Sequence, residues 1–283
     1  MPQANSHPVR EPTNASAITR HPAAAYFAVT FTISWLGALA VAAPHLLRHE
    51  PLPKLTGILM FPAMLLGPSA AGIALTGAYG GRAGLRDLRA RMFRAKVSAH
   101  WYAAILIPPA LILCVLICMK ILVSPDYTPN LFLLGFSFGI PAGYLEEIGW
   151  MGFAFPKMAA RRDALAPAIA LGILWSAWHL PVVNYLGTAT PHGAYWFDFF
   201  LAFAAAMTAM RVLICWIHAN TRSVLLAQLM HASSTSSLVI FSAPRVTAQQ
   251  EAIWYAVYAA ALWVVVAIVL IFFGKRLEPN ATP

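Results

Sequence analysis

Tyr144-Leu145-Glu146-Glu147-Ile148-Gly149-Trp150-Met151-Gly152-Phe153-Ala154-Phe155 is the stretch that decides how this chain folds. Two adjacent carboxylates stand in a run otherwise made of glycine, aromatic and aliphatic residues. Holding a charge at the middle of a bilayer costs at least ~2.5 kcal/mol on insertion scales, so an ionisable residue there has a partner or a task by default. His179 and His231 sit inside two further apolar runs. Together these positions imply an active site enclosed by helices within a membrane.

The composition agrees. Of the 283 residues, 60% are hydrophobic and only 10% are charged, where a soluble chain carries about 25% charged residues. The deficit is spread over long apolar runs, the pattern of a polytopic α-helical membrane protein. The predicted spans are Tyr26–Ala43, Gly57–Tyr79, Trp101–Val123, Asn130–Pro156, Pro167–Val183, Trp196–Ile217, Ser223–Phe241 and Ala252–Phe273. Each is near the ~20 residues that cross the hydrocarbon core. The fifth is the shortest, because Pro181 ends it early. No polar stretch is long enough to fold separately. The expected fold is therefore all-α: one transmembrane bundle of about eight spans over residues 25–275. A disordered cytosolic tail at 1–24, without the apolar core of a signal peptide, and a short tail at 276–283 flank it.

A net charge of +9 raises the question of nucleic acid, and the distribution of the cations answers against it. Arg82, Arg86, Arg89, Arg91, Arg94 and Lys96 share one loop between apolar runs. With the N-terminus inside, only Arg48, Lys54 and Arg245 fall in outer loops, while Lys120 and Arg211 lie within spans. That asymmetry places both termini in the cytoplasm. Leu85, Leu88, Met92 and Phe93 recur at helical spacing among the loop cations, so Arg82–Lys96 reads as an amphipathic helix on the inner leaflet. Cys114, Cys118 and Cys215 form no zinc-ligand pattern and read as small packing residues.

Gly135, Gly139 and Gly143 repeat every fourth residue, and Glu147 is the next member of the series. Small residues at that spacing admit a neighbouring helix, so Glu147 points into the bundle. Glu146 lies about 100° away around the helix and should have a different role. The plainer account of the pair is a buried ion pair tying helices together. Span five carries Leu174-Trp175-Ser176-Ala177-Trp178-His179-Leu180-Pro181, where the histidine alone would be an ordinary core residue and the tryptophans packing or interfacial aromatics. Span seven places His231 and Thr235 one turn apart, beside Ser234, whose hydroxyl could equally bond its own backbone. His218 and Asn220 fall at the turn between spans six and seven and read as loop residues. A carboxylate and two imidazoles without a strong nucleophile suit hydrolysis: the glutamate takes a proton from water, one histidine orients it, and the other stabilises an oxyanion. A zinc ion held by Glu146, His179 and His231 is the metal alternative, although no His-Glu-x-x-His sequence is present.

In these residues the chain resembles the CAAX-protease and bacteriocin-processing (Abi) family of intramembrane endopeptidases. That family shows Glu-Glu-x-x-x-Arg, then aromatic-x-x-x-His, then His-x-x-x-Asn. Here the elements are Glu146-Glu147 to Met151, Trp175 to His179, and His231 to Thr235. The resemblance spans about residues 130–240. It implies Glu146 as general base with His179 assisting, Glu147 as the group orienting His179 or its neighbours, and His231 with Thr235 as the oxyanion hole. It also implies hydrolysis of a peptide or protein substrate, prenylated in eukaryotic relatives, at the cytoplasmic side of what would be a bacterial inner membrane.

Two positions depart from the pattern: Met151 stands for the arginine and Thr235 for the asparagine. The threonine hydroxyl can still donate a hydrogen bond. For the missing cation there are two readings of Arg211: it snorkels to the inner interface, the plainer expectation, or it reaches the glutamates as a replacement counter-charge. The departures also support a non-catalytic regulator of the same family. A proton-coupled transporter would use the same groups as a relay, but no inverted repeat of broken helices is evident.

Overall fold

The computed structural model describes residues 21–159 and 163–278. The expected tail segment 1–20, the inner-face cations Arg161 and Arg162, and residues 279–283 lie outside the described residues. Helices cover nearly all of the rest, and no strand occurs among the described residues. The helices are α1 (Pro22–Leu47), α2 (Lys54–Met92), α3 (Ala99–Ala104), α4 (Ile107–Leu122), α5 (Gly135–Gly149), α6 (Phe155–Ala159), α7 (Leu165–Trp178), α8 (Trp196–Thr221), α9 (Val224–Ile240) and α10 (Ala248–Phe273). Every predicted span is represented. Five segments are long and apolar enough to cross a membrane: Pro22–Leu47, Lys54–Met92, Ala99–Leu122, Gly193–Thr221 and Ala248–Phe273. Leu36, Leu39, Ile121 and Ile271 stand exposed on their outer faces, a surface that suits lipid rather than water.

Lipid tails are as apolar as leucine, so the helices associate through close backbone approach and polar contacts. Along α1 the buried residues are Tyr26, Thr30, Ser34, Ala38 and Ala42, one every turn. Ser34 Oγ donates to the Met64 carbonyl on α2 at 2.7 Å. The glycine series of α5 does what its spacing implies: a β-carbon on Gly143 would stand 2.5 Å from Ala232 N and Gln228 O, and one on Gly135 would stand 2.9 Å from Ser236 O and Ile240 N. Gly172 on α7 lies equally close to Thr208 of α8, where a β-carbon would meet Cα at 2.7 Å. These two glycine-lined crossings, α5 on α9 and α7 on α8, flank the conspicuous acids and histidines.

Two segments differ from the sequence expectation. Span four is not one continuous α-helix: residues 131–134 precede the helix, and Trp150–Ala154 form a π-helical turn after Gly149, with Phe155 N–H donating to the Trp150 carbonyl. The arginine-rich stretch is not a separate surface helix but the end of α2, which bends at Gly81 (φ 55°). Its apolar face is only partly free for lipid. Leu88 is buried and touches the Gly152 position, while Arg91 donates to the Gly152 carbonyl at 3.0 Å. Leu85 and Phe93 remain exposed. Among the cysteines only Cys215 is a buried packing residue; Cys114 and Cys118 are exposed on α4.

At the opposite end of the bundle, Ser124 Oγ and Gln250 Nε2 both donate to Asp126 Oδ2, at 2.9 and 3.1 Å. These bonds, from Gln250 first, hold the Asp126 carboxyl below its ordinary pKa. They tie the α4–α5 connection to the start of α10, itself closed by a capping box between Thr247 and Gln250.

Candidate active site

The indole of Trp175 is the hub of the polar cluster. It sits on α7, with its side chain buried among groups from three other helices. Its Nε1 donates to Glu146 Oε2 at 2.7 Å, and Trp150 Nε1 donates to the same oxygen at 3.1 Å. The Trp175 carbonyl accepts from His179 Nδ1 at 2.8 Å. Its ring lies edge-on to His179 and His231, with centroids 5.5 and 5.0 Å apart. The Arg211 guanidinium covers the ring at 4.0 Å from the centroid. One residue therefore touches the acid, both imidazoles and the buried cation.

The second carboxylate belongs to a different set of partners, as the 100° offset implies. Arg211 Nη1 donates to both oxygens of Glu147, at 2.7 and 2.8 Å, and His231 Nδ1 donates to Oε1 at 2.7 Å. Glu147 and Arg211 are both fully buried. Arg211 thus does not snorkel to an interface. An arginine in mid-span pairs with a glutamate at less cost than it would reach water across an apolar neighbour layer, and the face of Trp175 receives the rest of its charge. Of the two imidazoles, Glu147 is bonded to His231 and not to His179.

A carbonyl and a carboxylate can only accept, so Nδ1 carries the proton in both histidines. This leaves Nε2 of each ring uncommitted, with no hydrogen bond from the described residues. Glu146 Oε1 is likewise left without a protein partner, while Oε2 is clamped. The π-helical turn at Trp150–Ala154 brings the Trp150 indole back over Glu146, one turn before it, and such turns recur at functional sites. His179 ends α7, where the following Leu180–Tyr185 segment tightens into a 3₁₀ turn at Pro181.

Thr235 lies one turn beyond His231 on α9, half-buried, without a hydrogen bond to the cluster. Met151, at the position of the motif arginine, is fully buried in the π-helical turn. His218 and Asn220 are not loop residues. Both belong to α8; His218 is buried, and Asn220 donates to the Trp216 and Leu277 carbonyls. No group of three or more His, Cys, Asp or Glu among the described residues is arranged to hold a metal ion. The Glu146, His179 and His231 set is therefore not assembled as a zinc site, and one Glu146 oxygen is already saturated by two indoles. What the sequence reading missed were the hydrogen-bonding roles of Trp150 and Trp175. The signal for Trp150 was its i, i+4 placement after Glu146.

Residues 128–237 match the family model described as Type II CAAX prenyl endopeptidase Rce1-like. Over 112 residues the chain is 32% identical to CAAX prenyl protease 2 of Methanococcus maripaludis, an alignment covering 38% of this chain and 39% of that protein. The chain thus matches about two fifths of that relative's length. Both findings bear out the resemblance read from the three motifs, over the segment that contributes α5, α7, α8 and α9.

Proposed function

We propose that this chain is an intramembrane endopeptidase that hydrolyses a peptide bond with water activated by Glu146 and His179. The observation that carries the reading is the convergence of Glu146, His179, His231 and Arg211 on Trp175. In the proposed step Glu146 Oε1 takes a proton from water while His179 Nε2 accepts the other water O–H, holding it in line. The oxygen adds to the scissile carbonyl carbon, and its π electrons move to oxygen. His231 stabilises that oxyanion from Nε2. With Nδ1 donating to Glu147, it offers Nε2–H only as the imidazolium. In that state the two carboxylates are balanced by Arg211 and His231, and the site is electrically neutral. The Thr235 hydroxyl is the second donor by resemblance. Glu146 then passes its proton to the leaving nitrogen, and the carbon–nitrogen bond breaks.

Arg211 and Trp175 are positioning residues in this scheme. Arg211 supplies, from another helix, the cation that the motif position Met151 lacks. The substrate would be a cytoplasmic peptide or protein tail, lipidated as the relative's name indicates for that protein. Both termini would face the cytoplasm of a bacterial inner membrane, following the loop cations. Hydrolysis by free water has a direct signature. Incubation of the purified protein in nanodiscs with a farnesylated peptide ending in a CAAX sequence, in the presence of hydroxylamine, should release the new C-terminus only as the free carboxylate. A hydroxamate product would reveal an acyl-enzyme and refute direct attack by solvent. A second reading, a non-catalytic regulator of the same family, draws on Thr235, which stands apart from the cluster in place of the motif asparagine. It requires the same peptide to remain uncut.

A further inference from the structure

The bend of α2 at Gly81 opens a cavity of about 330 Å³ between the end of α2, the π-helical turn, α6 and the α8–α9 junction. It is separate from the cluster around Trp175, since none of Glu146, Trp175, His179 or His231 lines it. Three cations do: Arg91, Lys157 and Arg222. A single carboxylate, Asp87, faces them, and it is taken up by Arg91 Nε at 2.8 Å. Arg222 is also paired outside the cavity with Glu278, at 2.9 Å, and Lys157 lies over the Phe153 ring at 5.9 Å. The cations in the wall therefore outnumber the anion there.

His218 closes the inner wall. It is 2% exposed, and neither ring nitrogen has a hydrogen-bond partner. An imidazole without a partner in a membrane bundle is costly, because a buried polar group left unsatisfied loses its hydration for nothing. Gly80 keeps the facing wall low: a β-carbon there would meet nothing within 4 Å. An anion seated among the three cations would give His218 an acceptor. The cavity also opens beside the arginine-rich end of α2, at the face that the loop cations direct to the anionic inner leaflet. Basic pockets between helices at that depth take phosphate-bearing headgroups.

We propose that this cavity is a binding site for a phosphate-type anion, held by Arg91, Lys157, Arg222 and His218, which either a phospholipid headgroup or a free phosphate could supply. The site is additional to the hydrolytic centre, and its test does not depend on activity. The full chain in neutral detergent is titrated with phosphatidylglycerol or phosphatidylcholine and examined by native mass spectrometry. Phosphatidylglycerol should bind, and phosphatidylcholine should not compete for the site. The double variant Lys157→Gln/Arg222→Gln, at exposed positions, should weaken phosphatidylglycerol binding about tenfold or more. His218→Phe should weaken it about threefold or more. The control Arg86→Gln/Arg89→Gln, on α2 but outside the cavity, should change it less than about twofold.

Addition of glycerol 3-phosphate separates the two sources. Displacement of the lipid identifies a site for the phosphate group alone, and no displacement identifies a headgroup site that needs its acyl chains. Equal loss in the two double variants would show general surface attraction and overturn the proposal. Wild-type affinity in either Lys157→Gln/Arg222→Gln or His218→Phe would overturn it as well. So would occupancy by an acidic peptide with no binding of phosphatidylglycerol or glycerol 3-phosphate. Melting curves of each variant confirm that the compared proteins are folded.

Discussion

Arg211 shows how a single side chain resolves the problem set by two adjacent acids in an apolar run. Glu147, Arg211 and His231 form a buried chain of charge-assisted hydrogen bonds, and the guanidinium plane rests on Trp175. Removing one partner of a buried ion pair costs about 3–5 kcal/mol, because the other charge is left behind. Arg211→Met is expected to lower unfolding stability in detergent by that amount, and the double variant Arg211→Met/Glu147→Gln should recover part of it. Additive losses in the two variants would show that the pair is not coupled. Trp175 is tested differently. Trp175→Phe keeps a ring for Arg211 and His179 to pack on but removes one of the two N–H groups on Glu146. Losing a hydrogen bond to a charged group costs about 1.5–3 kcal/mol, so kcat should fall by roughly 10- to 100-fold with a smaller change in KM. An unchanged kcat would mean that the clamp on Glu146 is structural only.

At the scale of elements, the site depends on how closely α5 and α9 approach. Gly143 faces Ala232 and Gln228 across a gap that no β-carbon fits, and His231 reaches Glu147 only because that gap is small. Gly143→Leu should force the helices apart, lower the melting temperature by several degrees at an overpacking cost of about 1–3 kcal/mol, and abolish activity. Gly80→Ala, where a β-carbon meets open space, should be neutral or stabilising by up to about 1 kcal/mol. A similar melting temperature for Gly143→Leu and wild type would contradict the packing argument. The glycine spacing was legible in the sequence because periodicity is a local property of one helix. So was the early end of α7, which stops at Trp178 ahead of Pro181, as proline's ring and missing N–H require. The partner of Arg211 was not legible: sequence pattern gives a residue's face on its own helix but not which neighbour occupies that face. The π-helical turn was hidden for a related reason, since Trp150–Ala154 has the composition of an ordinary apolar helix.

Across the whole molecule, hydropathy located a helix in every apolar run, and five of these segments are long and apolar enough to cross a membrane, since backbone groups in lipid must be satisfied within helices. The placement of the candidate site came from three motifs carried by α5, α7 and α9, and the structure adds α8 as the fourth wall through Arg211. His218 and the bend at Gly81 had no motif to mark them, and only the packing of α2 against the π-helical turn reveals their cavity. The central claim of the proposal is that Glu146 activates water within the cluster that four helices assemble around Trp175. Its most direct test is the rate at which Glu146→Gln, with a wild-type melting curve, cleaves the farnesylated peptide in nanodiscs. The amide keeps the shape and can still accept the indole bonds but cannot take a proton, so the rate should fall at least ~10²-fold. Cleavage by the folded variant at the wild-type rate would contradict the account.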